Sequence, residues 1–418
     1  MLSILTALGS YGDVHPMVGL GVALRSRGHD VRVISNPYFR EVIEGAGLAF
    51  ESVSTAEEYE RLTKLPGLWR PSKGLDLVFQ HGALGVLDEL YSIIERLYCP
   101  AETVIAAHGL DLASRLAAEK LGAPVSSVVY APIALPSNSS PPRFPVGLPH
   151  RVTPAWLARL QVSAAERLLL KPRVVRPLNR RRRDLGMEPI AGSFFDWYYR
   201  VARPVSLFPD WFAADPGDWP NSTVTTCFPL WDGSDQQRLS DELESFLSEG
   251  DPPIVFTPGS ANRQAEYFFQ AAAEACQRLG RRGVLLTKYS EQVPAGLPPS
   301  VRWFGFTPLG NLLPRAAAFV HHGGIGSCAR GLAAGTPQVI QPFGFDQFDN
   351  SMRLRRLGVA AELPRNRFRG AALASVLDRL LSSSEVSEAC RRSRERIAQS
   401  EGLAMACSVL EERLTQAS

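Results

Sequence analysis

Strand-length apolar runs alternate with helix-length amphipathic stretches along this chain, in two separate series. The first opens with "LSILTAL" (2–8), a buried-strand signal. A glycine-containing loop and the helical pattern "MVGLGVALRSRG" follow, with Pro16 expected at the helix start. The strands "DVRVIS", "AFESV", "ETVIAAH" and "VSSVVY" continue it, with the helices "YFREVIEGAG" and "LASRLAAEKLG" among them. Such alternation predicts a parallel sheet covered on both faces. Ligands of such sheets bind at the carboxyl ends of strands, which makes loops 9–15 and 108–111 candidates. From about 131 to 200 the pattern degrades, and "APIALPSNSSPPRFPVGLP" is too rich in proline and serine for regular structure. A second series runs through "PIVFTPGS", "GVLLT", "VRWF", "AAFVHHGG" and "PQVIQP". The expectation is an α/β chain of two doubly wound, Rossmann-like domains, 1–210 and 211–400. "FPDWFAADPGDWP" would form the connection, and a last helix in 401–418 would pack back on the first domain.

Composition agrees with this division, since 418 residues are long for a single core. A net charge of +3 is too small to argue for a nucleic-acid partner. The six cysteines have neither paired nor metal-like spacing and suit reduced thiols. "MLSILTALGSYGDVHP" lacks a basic leader, and no apolar run approaches the roughly 18–20 residues of a membrane span. A soluble, cytoplasmic protein is expected.

"VHHGGIGSCARGLAAGTPQ", from Val320, reads as strand, sharp turn, helix and strand. Turn glycines let backbone amides approach a ligand, and a helix amino terminus offers unpaired N–H groups and positive potential. That combination builds a phosphate cradle. Gly324 and Gly326 have the G-x-G spacing of a dinucleotide fingerprint, but the third glycine is misplaced and the next strand ends in Gln341 rather than an acid. No lysine–serine/threonine ending makes it a P-loop. A helix entry packed tightly for structure alone leaves the paired histidines and "FGFDQFDN" unexplained.

"HHGGIGS…AAGTPQVIQPFGFDQFDN" and "GSYGDVHPMVGLGVALRSRGHDV" together resemble the family 1 GT-B glycosyltransferases over nearly the whole chain. Within that family, "GSYGDVHP", "LFPDWFAADPGDWP", "FPLWDGS" and "PFGFDQFDN" resemble most the rhamnosyltransferase of rhamnolipid biosynthesis. The resemblance implies a GT-B architecture, two Rossmann-like domains facing a central cleft, with an acceptor domain first and a nucleotide-sugar domain second. It places the donor diphosphate on His322, Gly324, Gly326 and Ser327, with a further contact at Ser260. Asp346 and Gln347 would bind sugar hydroxyls, and Asp346 could also cap its helix. Phe306, with Thr307 beside it, would stack on the base; a core phenylalanine is the other reading. His321 is expected to pack against the turn. Arg330 departs from plant members, which carry a ribose-binding glutamate there. No Asp-x-Asp pair marks a metal, so metal-independent transfer without a cofactor is expected, the nucleotide sugar being substrate.

Transfer to a hydroxyl needs a proton acceptor. The family frame assigns it to Asp13, with His15 as alternative base or acceptor contact and His108 near the position of an orienting partner. Gly12, in the same loop, and His108 are also candidates for contact with the acceptor. Trp69, Leu68, Phe79 and Leu135 are candidates for an apolar acceptor pocket. Seven basic residues between Lys171 and Arg183 form either a solvated helix face or a contact for anionic membrane on the inner face of the cytoplasmic membrane. The implied reaction is inverting transfer of L-rhamnose from dTDP-L-rhamnose to a 3-(3-hydroxyalkanoyloxy)alkanoate. The alternatives are UDP-glucose-dependent glucosylation of a sterol, polyketide or phenol, a nucleotide-sugar 2-epimerase, and a non-catalytic nucleotide-sugar-binding partner.

Overall fold

Valine, isoleucine and leucine dominate the strand runs because strands of a doubly covered sheet are buried on both faces. In the first sheet every residue of β4 (Thr103–Ala107) and β5 (Val125–Val129) is buried. The computed structural model describes residues 1–65, 67–68, 73–144, 155–220, 223–233 and 237–417. They divide into two compact units, one of 1–229 with 401–418 and one of 230–400.

The first unit also contains β1 (Leu2–Ala7), β2 (Asp30–Ser35), β3 (Ala49–Ser52), β6 (Arg203–Ser206) and β7 (Val224–Thr225). Its seven strands run parallel in the order β3-β2-β1-β4-β5-β6-β7. Strand order therefore reverses at the β1/β4 junction, where a doubly wound sheet opens its binding crevice. The sheet reaches past residue 210, because β7 pairs with β6 and carries the unit on to Pro229. The helix Ala404–Ala417 packs on β4, β5 and the first helix, burying Ala406, Cys407, Val409 and Leu410. Glu411 receives both Arg27 (2.6 Å) and His29 (2.7 Å).

The second unit is a six-stranded parallel sheet. Its strands are β8 (Ile254–Thr257), β9 (Gly283–Leu286), β10 (Val301–Phe304), β11 (Ala318–His321), β12 (Gln338–Ile340) and β13 (Ala360–Glu362). The order β10-β9-β8-β11-β12-β13 reverses at β8/β11.

One expectation about the helices needs correction. The first helix, Tyr11–Ser26, begins five residues before Pro16, which lies inside it. A Ser10–Asp13 capping box fixes that earlier start. The stretch 155–184, where the alternation of strands and helices breaks off, is helical throughout its length, as a helix face for the basic run requires.

Candidate active site

The loop after β1 is shaped around one carboxylate. Gly9 takes φ +124°, and a Cβ there would lie 2.4 Å from Asp13 Oδ2. Only glycine fits both the dihedral and the approach. Ser10 donates to Asp13 Oδ2 through its backbone N–H (2.7 Å) and its hydroxyl (3.1 Å). Asp13 Oδ1 is 3.2 Å from Nε2 of His108, the residue that follows β4. Leu110 N–H donates to His108 Nδ1 at 3.1 Å, so the ring proton sits on Nε2 and is donated to Asp13. Asp13 keeps 32% of its side chain exposed, whereas His108 keeps 5%. The Tyr130 hydroxyl donates to the Asp13 carbonyl at 3.0 Å, and burial, with Asp13 nearby, pushes that phenol well above its ordinary value. It stays protonated as a donor. The result is a partly exposed carboxylate with a donor on each oxygen, beside an imidazole that cannot take a proton on Nδ1 without losing the Leu110 bond.

His15 lies about 200° around the helix from Asp13. It packs edge-on to Tyr11 (5.2 Å), which meets Phe39 (5.0 Å). The structure thus joins Asp13 to His108 and turns His15 toward an aromatic cluster. Gly12 is exposed between the two faces, and Pro16 supplies no N–H for its carbonyl.

In the second unit His322, directly after β11, is the counterpart of His108. Its ring lies between two glycines. A Cβ on Gly324 would come within 2.5 Å of Nε2, and one on Gly259, in the loop after β8, within 2.9–3.1 Å of three ring atoms. Its Nδ1 is buried and has no hydrogen-bond partner among the described residues. Burial pushes the imidazole down to about 4, so it is neutral at pH 7 and presents an unused polar atom. His321 is different. It is fully buried, donates through Nε2 to Gln338 Oε1 (2.9 Å), accepts from Gly323 N–H on Nδ1 (3.1 Å) and stacks on Phe319. Burial, with His322 beside it, lowers it to about 3.

Gly323 (φ +93°) turns the chain into the helix Ile325–Ala334. Cys328 N–H bonds the Gly324 carbonyl, so the amides of Gly326 and Ser327 have no acceptor one turn back. Ile325 N–H donates to Asp346 Oδ2 (3.2 Å). Asp346 stands at the start of the helix Gln347–Arg356 but makes no side-chain cap bond to it; it caps the cradle helix instead. Asn350 ties the arrangement together, donating to Asp346 Oδ2 (2.6 Å) and to the Gly323 carbonyl (2.9 Å). Gln347 accepts Phe343 and Gly344 N–H on Oε1 (2.7 and 3.1 Å), which leaves its amide nitrogen as a donor.

Ser260 is exposed at the β8 turn, and Thr307 is half-buried. Phe306 is 54% exposed, which removes it from the core. Arg330 Nη2 lies 2.6 Å from Asp232 Oδ1, and Asp232 Oδ2 accepts Gly310 N–H. Phe79 is half-buried in the helical segment Val78–Leu84, Leu68 and Leu135 are buried, and Trp69 lies outside the described residues. Of the basic run, Arg173, Arg181 and Arg182 pair with Asp76, Asp88 and Glu119, leaving Lys171, Arg176, Arg180 and Arg183 exposed. No helix among the described residues is long and apolar enough to cross a membrane.

Sequence reading missed Asn350, Asp232 and Gly259. Asn350 follows Asp346 by one helical turn, a spacing that could have revealed it. Asp232 and Arg330 are far apart in sequence and gave no such signal.

Residues 3–134 match the glycosyltransferase family 28 N-terminal domain, and 284–406 match the erythromycin biosynthesis protein CIII-like C-terminal domain. O-mycaminosyltylonolide 6-deoxyallosyltransferase of Streptomyces fradiae is 32% identical over 431 residues, covering 98% of this chain and 96% of that protein. Glycosyltransferase GtfC of Amycolatopsis orientalis is 30% identical, covering 87% and 86%. Among solved structures, the glycotransferase of kitacinnamycin aligns with TM-score 0.75 at 21% identity, covering 99% of this chain and 98% of that one. The spinosyn rhamnosyltransferase SpnG complexed with thymidine diphosphate aligns at 0.69 and 17% identity, covering 98% and 100%. With sequence similarity to sugar transferases along its whole length and the GT-B fold in both units, the chain belongs to the family of GT-B glycosyltransferases and is an enzyme of that class.

Proposed function

We propose that the enzyme transfers a hexosyl group, with inversion, from a nucleoside-diphosphate sugar to a hydroxyl of a hydrophobic acceptor, Asp13 acting as base. The observation that carries this reading is the Asp13 carboxylate, hydrogen-bonded on both oxygens and flanked by a His108 that donates rather than accepts. In the second unit, neutral His322 and the Gly326 and Ser327 amides hold the departing diphosphate, where charge develops in the transition state. Asp346 and the Gln347 amide orient the sugar, Ser260 contacts phosphate, and Phe306 and Thr307 meet the nucleoside. The transfer uses no metal or resident cofactor.

For the donor we propose dTDP-L-rhamnose and for the acceptor a 3-(3-hydroxyalkanoyloxy)alkanoate, on the motifs that resemble the rhamnolipid enzyme. Lys171, Arg176, Arg180 and Arg183, with exposed Trp156, Leu160 and Leu168 on the same helical run, support working at an anionic membrane surface. A second reading, a dTDP-deoxysugar transferred to a macrolide-like polyketide, is favoured by the Streptomyces relative, whose name places it on a tylonolide.

Thermal shifts with dTDP-rhamnose, dTDP and UDP-glucose test the donor, because a ligand at about 100 times its Kd stabilises by about 2.7 kcal/mol. Transfer is then measured on hydroxyacyl acceptors of increasing length, a macrolide aglycone and a phenol. Each buried methylene contributes about 0.8 kcal/mol, so the Michaelis constant falls stepwise with acyl length until the pocket is full. Transfer to the aglycone with none to any hydroxyacyl acceptor selects the second reading. A shift with UDP-glucose alone, with glucosylation of the phenol, overturns both.

A further inference from the structure

Behind His108 lies a hydrogen-bonded network that no solvent reaches and that no step above uses. Thr6, on β1, and Asp111 and Arg115, on the turn and helix after β4, are all 0% exposed. The Thr6 hydroxyl accepts His108 N–H (2.9 Å) and donates to Asp111 Oδ2 (2.8 Å). Ser114 donates its N–H to Asp111 Oδ1 (2.8 Å) and its hydroxyl to Oδ2. Arg115 donates to the Asp111 carbonyl and to Ser127 Oγ (2.6 Å), with its guanidinium 3.5 Å over the Tyr198 ring. Tyr198 in turn donates to the Gly109 carbonyl (2.6 Å).

We propose that Thr6 is a positioning residue for the base: its single hydroxyl joins both ends of the 108–111 turn and so fixes the His108 ring against Asp13. The inference rests on the reading of Asp13 as base. Only a group that donates and accepts at once can serve both His108 N–H and Asp111, and among compact side chains that is a hydroxyl. The His108 bond holds the Asp13 carboxylate in place, and in general a hydrogen bond to a charged group stabilises the charged form. Loosening the turn weakens this bond, and the readout is the acid limb of the pH profile.

The test is the pH profile of kcat/KM for the full-length enzyme in four variants. Thr6→Val lowers kcat about tenfold, leaves the donor KM unchanged and moves the acid limb to higher pH. Thr6→Ser restores the wild-type limb. His108→Phe moves the limb in the same direction as Thr6→Val and at least as far. If Thr6→Val does not fold, Thr6→Cys, a weaker hydrogen-bonding group of similar size, must shift the limb upward. An unmoved limb in the folded variant, or a limb that serine fails to restore, overturns the inference. Asp13→Asn separates the two readings. If its acid limb persists, the limb does not belong to Asp13 and the base assignment fails. If the limb vanishes there and stays unmoved in the Thr6 variants, only the Thr6 inference fails.

Discussion

The two units solve the same topological problem with opposite chemistry. In each, a histidine follows the strand on one side of the switch point and reaches the loop that follows the strand on the other. His108 after β4 meets Asp13 after β1; His322 after β11 meets Gly259 after β8. Where the loop answers with a carboxylate, the histidine becomes a donor locked by Leu110 and the carboxylate stays partly exposed. Where the loop answers with bare backbone, the histidine keeps an Nδ1 with no partner among the described residues. The helix termini differ in the same way. The first helix is capped by its own Asp13, whereas the cradle helix is capped at Ile325 by Asp346 from another helix, leaving its next two amides without intrahelical acceptors. The same strand–turn–helix unit presents a carboxylate or open backbone amides according to where its carboxylate comes from.

The largest expected effect falls on the carboxylate side alone. Asp13→Asn lowers turnover by about two to four orders of magnitude and leaves nucleoside-diphosphate affinity unchanged in calorimetry. Near-normal turnover would break the comparison at its centre.

A matched pair of glycine substitutions sharpens it. Gly9→Ala pushes on Asp13 and Gly324→Ala pushes on His322, each through a Cβ with nowhere to go. Gly9→Ala lowers kcat by about 10–100-fold, equivalent to the roughly 1–3 kcal/mol of a strained site, with diphosphate binding intact. Gly324→Ala, like His322→Ala, weakens diphosphate binding by a similar factor and slows transfer with it. Identical phenotypes for the two glycines would mean that the units do not divide the labour.

The smallest effect is on stability. Well above pH 6.5 His321 and His322 are neutral whether the chain is folded or not. Between 6.5 and about 4 the unfolded chain binds protons that native His321 and His322 refuse, so stability falls as pH falls. Each refusing histidine contributes up to about 1.4 kcal/mol per pH unit. Urea unfolding of wild type against His322→Ala between pH 5 and 6.5 should show the variant losing one proton's share of the slope. Equal slopes would show that His322 titrates normally in the native enzyme.

The strands flanking both switch points were legible because runs such as "ILTAL" and "AAFVH" are long and apolar. β6, β7 and β13 were not. The first carries Pro204, and the others span two and three residues, too short for periodicity to register. The helix start was misplaced because Pro16 looks like a first-turn residue, while Asp13, which with Ser10 sets the true start, carries the marks of a base in the sequence. Asp13, His108 and His322 were visible through their motifs. What holds them was not: Thr6 reads as one more residue of a buried strand, and its partner Asp111 is 105 positions away. Hydrogen bonds of that range leave no local pattern in a chain.

The return of the final helix to β4 and β5 gives the polypeptide a nested order of assembly. The unit spanning 230–400 is one uninterrupted segment, able to condense as soon as it leaves the ribosome. The unit that carries Asp13 is split, with the whole of the other unit between its two segments. Until Cys407, Val409 and Leu410 arrive, the outer face they cover stays open, and Arg27 and His29 lack Glu411. The sheet that holds Asp13 and His108 at its switch point is therefore fully covered only in chains whose synthesis has run through the closing helix.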